Sequence, residues 1–176
     1  MYYLNGTGSG YLSTVPSTWR TLIDLDYAWH ITGMAISTLE NAKTTYIAEI
    51  ANTTASWNGA VGLMYVSDFG YSSSPNKWSL SLVRSNNGSA YDYRSAANVD
   101  WINDGQNQWP ISPLLGSSEE VHSFDVDHVV GPWGSTVHTA WCYRRPTFYL
   151  ESTVELNTIV SGMDGSASHP YMLSIS

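Results

Sequence analysis

The sequence predicts an α+β domain, mostly antiparallel β with one or two short helices and long ordered loops. Three observations carry this. Segments of alternating apolar and polar residues recur between Gly and Asn turn signals. Helical spacing stands out at one place, residues 17–23. A long stretch, residues 87–108, is rich in Asn, Ser, Asp and Tyr, the composition of an ordered loop packed by its own aromatics.

Taken in order, residues 2–4 and 11–15 flank a Gly/Asn cluster that reads as a flexible or hairpin turn; no Lys follows it, so it is not a phosphate loop. Ser17 then precedes Trp19, Leu22 and Ile23 at i, i+3, i+4 spacing, a short amphipathic helix with Ser17 as its cap. From Leu25 the period changes to two, with Tyr27, Trp29 and Ile31 on one side, and this strand ends at Gly33. Residues 44–50 alternate as a second strand, and residues 52–57 read as a polar connection. Residues 57–71, WNGAVGLMYVSDFGY, form the densest pattern. There the Asn58-Gly59 turn leads into a run, 60–66, apolar on both faces and read as a central strand covered on both sides. Ser67, Asp68 and Gly70 then leave the sheet.

Beyond a loop at 72–77, residues 78–84 are a short strand or helix. Residues 109–113, WPISP, contain two prolines without amide donors, so they form an extended edge or a buried loop. Residues 122–130 alternate as a strand, 131–134 turn, 137–143 and 147–150 resemble further strands, and 154–161 with 171–175 close the chain as a hairpin.

With 176 residues, 43 % of them apolar, the chain can bury a core as one domain spanning 1–176. Charged residues make up 12 %, about half the usual share. Eight Trp and 12 Tyr against 3 Phe favour rings with a polar handle, suited to half-buried or ligand-contacting surfaces. A net charge of −8 with Lys43 and Lys77 as the two lysines argues against nucleic acid as a partner. Cys142 is the single cysteine, so no intrachain disulfide forms. No window approaches the ~20 apolar residues of a membrane span. The first residues lack the basic-then-apolar order of a signal peptide, which leaves either a cytosolic protein or a targeting segment upstream.

Four pieces read together resemble a known family. They are Trp57, Gly59, Val61 to Tyr65, Ser67, Asp68 and Phe69 to Tyr71; Trp109 with Ser112-Pro113; Arg145-Pro146 with Tyr149-Leu150; and Gly162, Asp164, Gly165, Ser166 with Pro170-Tyr171. This set resembles the C-terminal globular domain of Gram-positive and metagenomic prepilin-like surface proteins, associated with type IV pilins and pseudopilins. The Trp…Ser-Pro and Arg-Pro pieces also resemble uncharacterised domains of C-type-lectin or formylglycine-generating-enzyme type. The resemblance implies an extracellular or cell-surface, non-enzymatic domain for filament assembly or adhesion, with other filament subunits or a host or environmental glycan or protein as partner. The alternative is a lectin-like carbohydrate-binding module, with or without calcium; no other cofactor is expected.

The candidate ligand-binding residues are Trp78, Tyr91, Tyr93, Trp101 and Trp133, aromatics in polar, loop-like surroundings that suit stacking on sugars or anchoring an interface. Trp57, Asp68, Trp109 and Arg145 are expected to be structural, with Asp68 capping nearby amides and Arg145 pairing with an acid such as Asp68. As a chemical alternative, Asp68 and another acid would make a hydrolase. Glu119, Glu120, His122, Asp125, Asp127 and His128 supply metal-ligating atoms, but on a strand the two Asp and the two His lie on opposite faces. The acidic members with loop carbonyls are the calcium alternative. Cys142 between Trp141 and Tyr143 reads as an inert thiol, and no nucleophile motif is present.

Overall fold

The computed structural model describes residues 2–6, 8–35, 41–51, 53–71, 75–79, 82, 106–116, 119–123, 131–136, 142–157 and 172–175. They form a mixed α+β fold of short helices and small sheets. The helices are α1 (Tyr2–Asn5), α2 (Tyr11–Thr14), α3 (Ser17–Arg20), α4 (Ala42–Ala51) and α5 (Val66–Tyr71), with a 3-10 turn at Pro75–Lys77. The strands are β1 (Ala28–Thr32), β2 (Thr53–Asn58), β3 (Gly62–Leu63), β4 (Asn107–Trp109), β5 (Glu120–Ser123), β6 (Gly131–Thr136), β7 (Cys142–Arg144), β8 (Pro146–Thr147), β9 (Val154–Asn157) and β10 (Met172–Ile175). They pair two by two as β1-β2, β3-β8, β4-β7, β5-β6 and β9-β10, and β4-β7 is parallel. Helix is therefore more abundant than the one or two short helices expected. By contact the chain divides into two compact units, Met1–Tyr27 with Asn58–Val61 and Phe148–Ser176, and Ala28–Trp57 with Gly62–Thr147.

In the first unit three helices of four residues each are too short to hold themselves together. They are pinned by side chains and bridges. Asn5 donates Nδ2 to the Val61 carbonyl at 2.7 Å and accepts the Val61 amide at 2.9 Å. Ile23 bridges Leu150, with Asp24 N donating to Tyr149 O and Glu151 N to Leu22 O, both at 2.9 Å. Tyr27 stacks on Tyr149 at 3.9 Å between ring centres. The helix at α3 forms, but Pro16 stands at its cap position without a side-chain hydrogen bond, and Trp19 faces solvent while Ile23 is buried. The terminal hairpin forms as an antiparallel ladder with Val154 opposite Ile175.

In the second unit Trp29 of β1 is fully buried, between Trp57 and Tyr65 with ring centres at 6.1 Å to each. His30 N donates to Tyr65 Oη at 2.7 Å. Gly62 follows from that packing: a Cβ there would lie 2.6 Å from the Trp29 ring. Pro113 and Leu114 are bridged, Pro113 to Val121 and Leu114 to Met34, and Pro110, Ile111 and Ser112 before them are buried, so WPISP follows the buried-loop alternative.

Four local expectations are corrected. Residues 44–50 are helix α4, because Asn41 caps it: Thr44 N donates to Asn41 Oδ1 at 3.0 Å and Thr45 N to Asn41 O at 2.9 Å. Ala42, Thr45 and Glu49 face inward, a helical period that the alternating residues of 44–50 conceal. Residues 52–57 are mostly strand β2 and not a polar connection. The 131–134 turn lies within β6. Residues 60–66 are buried on both faces as expected, yet only Gly62 and Leu63 pair, with Thr147 and Pro146, and Val66 already begins α5.

Candidate functional site

Two features of the second unit carry chemistry, and α4 contributes to both. On its inner side Glu49 is 3 % exposed. Its Oε1 accepts Val66 N at 2.9 Å, Ser67 N at 3.4 Å and Ser112 Oγ at 3.2 Å, and its Oε2 accepts Ser67 Oγ. Thr32 Oγ1 donates to the Glu49 carbonyl. The first amides of any helix lack partners within it. Here Glu49 supplies the acceptor from a different helix, while Asp68 Oδ2 reaches back to Tyr65 N at 3.0 Å, the carboxylate half of a capping box.

Burial raises the Glu49 carboxyl to about 7, with the neighbouring Asp68 charge adding to the rise and the Ser67 and Val66 hydrogen bonds opposing it. Burial likewise raises Asp68 to about 6 against the pull of the Tyr65 amide. Perturbed carboxyl pairs also occur in acid–base active sites. Here the oxygens of Glu49 are engaged by protein donors, and Thr32, Ser67 and Ser112 beside it are buried. Asp68 thus caps the Tyr65 amide, as its place after the 60–66 run suggested. Arg145 does not pair with it: its Nε donates to Gln108 Oε1 at 3.0 Å.

On the outer side of α4 lies an open groove of about 730 Å³ lined by Asn41, Lys43, Thr44, Tyr46, Ile47 and Tyr71, and by Pro75, Asn76, Trp78 and Ser79. Its walls are tied together by Ala42 N, which donates to Trp78 O at 3.3 Å, and by Trp78 N, which donates to Pro75 O at 3.3 Å. Tyr71 receives Tyr46 at 6.2 Å and Trp78 at 4.9 Å between ring centres, both edge to face. Tyr46 is 48 % exposed and Trp78 37 %. The close approach of α5 to α4 beneath the groove needs Gly70, whose Cβ would lie 2.6 Å from that of Ala42.

Among the ligand-binding aromatics expected from sequence, Trp78 lies in this groove. Trp133 falls on β6, and Tyr91, Tyr93 and Trp101 lie outside the described residues. Tyr46 and Tyr71 were missed because one sat in a misread strand and the other at the end of the 57–71 run. Asn41 ahead of a run rich in Ala, Thr and Lys was the signal for the helix that exposes Tyr46. Trp57 stacks on Trp29, and Trp109 closes β4 opposite Arg144.

In the acidic–histidine cluster, His122 is buried and its Nε2 donates to the Met34 carbonyl at 2.9 Å; burial holds its pKa below the usual histidine range. That nitrogen is occupied, so it cannot also ligate a metal. Asp125, Asp127 and His128 lie outside the described residues, and no group of metal-ligating side chains forms among those described. No described helix is long and apolar enough to cross a membrane. Comparison with protein-family models, curated proteins and solved structures finds no match to this chain.

Proposed function

We propose that this chain is a non-enzymatic binding domain of the adhesion type, displayed outside the cell on a pilus-like filament or another anchor, with the groove beside α4 as its ligand-contacting surface. The observation that carries the reading is the aromatic set of exposed Tyr46 and Trp78 packed on half-buried Tyr71, on a hydrogen-bonded frame. Pre-positioned rings of this kind anchor protein interfaces and stack on sugars at little entropic cost. The sealed environment of Glu49 supports a structural carboxylate over a hydrolytic one. The resemblance of residues 57–71 and the Arg145-Pro146 piece to prepilin-like domains supports the extracellular placement, and a C-type-lectin-like arrangement belongs to the same proposal.

Binding of the purified chain to immobilised glycans and to cell-surface filaments, with calcium and with chelator, tests this. Retention that is lost in Trp78→Ala while the variant stays folded is expected. Unchanged retention in that variant, or turnover of a glycoside by the wild type, overturns the reading.

A further inference from the structure

The groove's charge narrows its ligand. The chain carries 15 acidic residues against 7 Lys and Arg, so most of its surface repels anions. Among the described residues, the lining of the groove contains Lys43, one of two lysines, and no acidic residue. Lys43 is exposed and has no ion pair among the described residues. The other polar groups of the lining are amides and hydroxyls. Asn41 spends Oδ1 on the cap of α4, which leaves Nδ2 without a hydrogen bond among the described residues. Thr44 Oγ1, Ser79 Oγ and the Asn76 amide have none either among the described residues.

Rings with a polar edge, hydrogen-bonding groups of both senses and one cation together match a ligand that is flat and apolar on one face, hydroxylated at its rim and singly anionic. A pyranose bearing a carboxylate has that chemistry. The volume of about 730 Å³ falls within the range of about 300–1,000 Å³ of small-molecule sites and has room for more than one sugar ring.

Resting on the binding reading above, we propose that the groove takes a carboxylated sugar, its ring packed on Tyr46 and Trp78, its hydroxyls on Asn41, Thr44, Asn76 and Ser79, and its carboxylate at Lys43. Uronic acid units within a polysaccharide and terminal sialic acids share this chemistry, and both are used as probes.

The experiment is calorimetric titration of the full chain with methyl glucuronide, methyl sialoside and methyl glucoside at low and high salt. The acidic sugars are expected to bind about tenfold tighter than the neutral one at low salt, a charge-assisted contact, with the gap narrowing as salt screens it. The Lys43→Gln variant closes the gap by weakening the acidic sugars. Trp78→Ala weakens both classes about tenfold or more, whereas Trp78→Tyr keeps most of the binding. Circular dichroism confirms that each variant is folded. Equal affinity for acidic and neutral sugars, lost in Trp78→Ala, overturns the acidic ligand and leaves the groove as binding surface. Acidic-sugar binding that survives both Lys43→Gln and Trp78→Ala overturns the site. A chain that binds none of these sugars but binds a filament or peptide through Trp78 overturns the sugar and keeps the adhesion reading.

Discussion

On its inner side α4 presents Ala42, Thr45 and Glu49, and on its outer side Tyr46, Ile47 and Ile50, each of the latter about half exposed. A surface helix ordinarily turns its apolar stripe inward. Here a carboxyl group is sealed in the core and large apolar side chains stand in water. The two sides are stabilised differently. The inner side holds because donors from α5 and the 111–115 segment converge on Glu49, so its burial is hydrogen-bonded. The outer side makes no comparable set of described polar contacts, and its apolar exposure is the kind that marks an interaction surface. One side fixes the fold and the other stands open to solvent.

That contrast is broken most strongly by Glu49→Ala. It strips the acceptor from Val66 N, Ser67 N, Ser67 Oγ and Ser112 Oγ, and unsatisfied buried donors make the expected loss about 3 kcal/mol or more in urea unfolding. A loss under about 1 kcal/mol would show that water replaces the carboxylate and that the side is not sealed.

Next in size is Gly70→Ala, expected to destabilise by about 1–3 kcal/mol because its Cβ meets Ala42 at 2.6 Å in the α4–α5 contact. Gly62→Ala, against the Trp29 ring, should behave alike, and thermal melts compare the two.

The carboxyl pair gives a pH signature. Glu49 rises from an ordinary 4.5 to about 7 in the folded chain, so the folded state holds its proton where the unfolded state has released it. Its contribution is full below about 4.5 and is lost as pH rises through about 7, at up to about 1.4 kcal/mol per pH unit. Asp68 acts in the same sense between 3.8 and about 6. His122, held low by burial, acts oppositely as pH falls below its ordinary 6.5. Comparing unfolding of wild type and Glu49→Gln from pH 5 to 8 isolates the first group: the wild type should lose stability relative to the variant on raising the pH. A constant difference would mean that Glu49 is ionised in the core throughout.

The smallest effect is expected outside. Ile50→Ser, at 54 % exposure, should change stability by less than about 0.5 kcal/mol. A larger loss would place Ile50 under a cover.

Much of this division was legible in the sequence, though not the elements that build it. The apolar density of 60–66 announced burial on both faces, and Asp68 at the exit of that run announced a carboxylate capping nearby amides. Trp78 beside Pro75 and Asn76 announced an exposed aromatic. Helix α4 was misread because the apolar residues of 44–50 alternate, while its inward residues are Thr45 and Glu49, types that hydropathy assigns to the surface. The continuation of 60–66 as a strand was misread because the acceptor that starts α5 lies 17 residues earlier in the chain.

By itself the sequence determined the mixed α+β class, the buried 60–66 run and the pairing of the two closing strands, because each is a matter of local composition and period. Only the tertiary structure decided that Glu49 caps α5, that Gly62 and Gly70 must lack a side chain, and that Tyr46, Tyr71, Trp78 and Lys43 share one groove. Those facts depend on segments far apart in sequence meeting at a few ångströms, and a one-dimensional pattern does not encode which distant donor will satisfy a buried carboxyl.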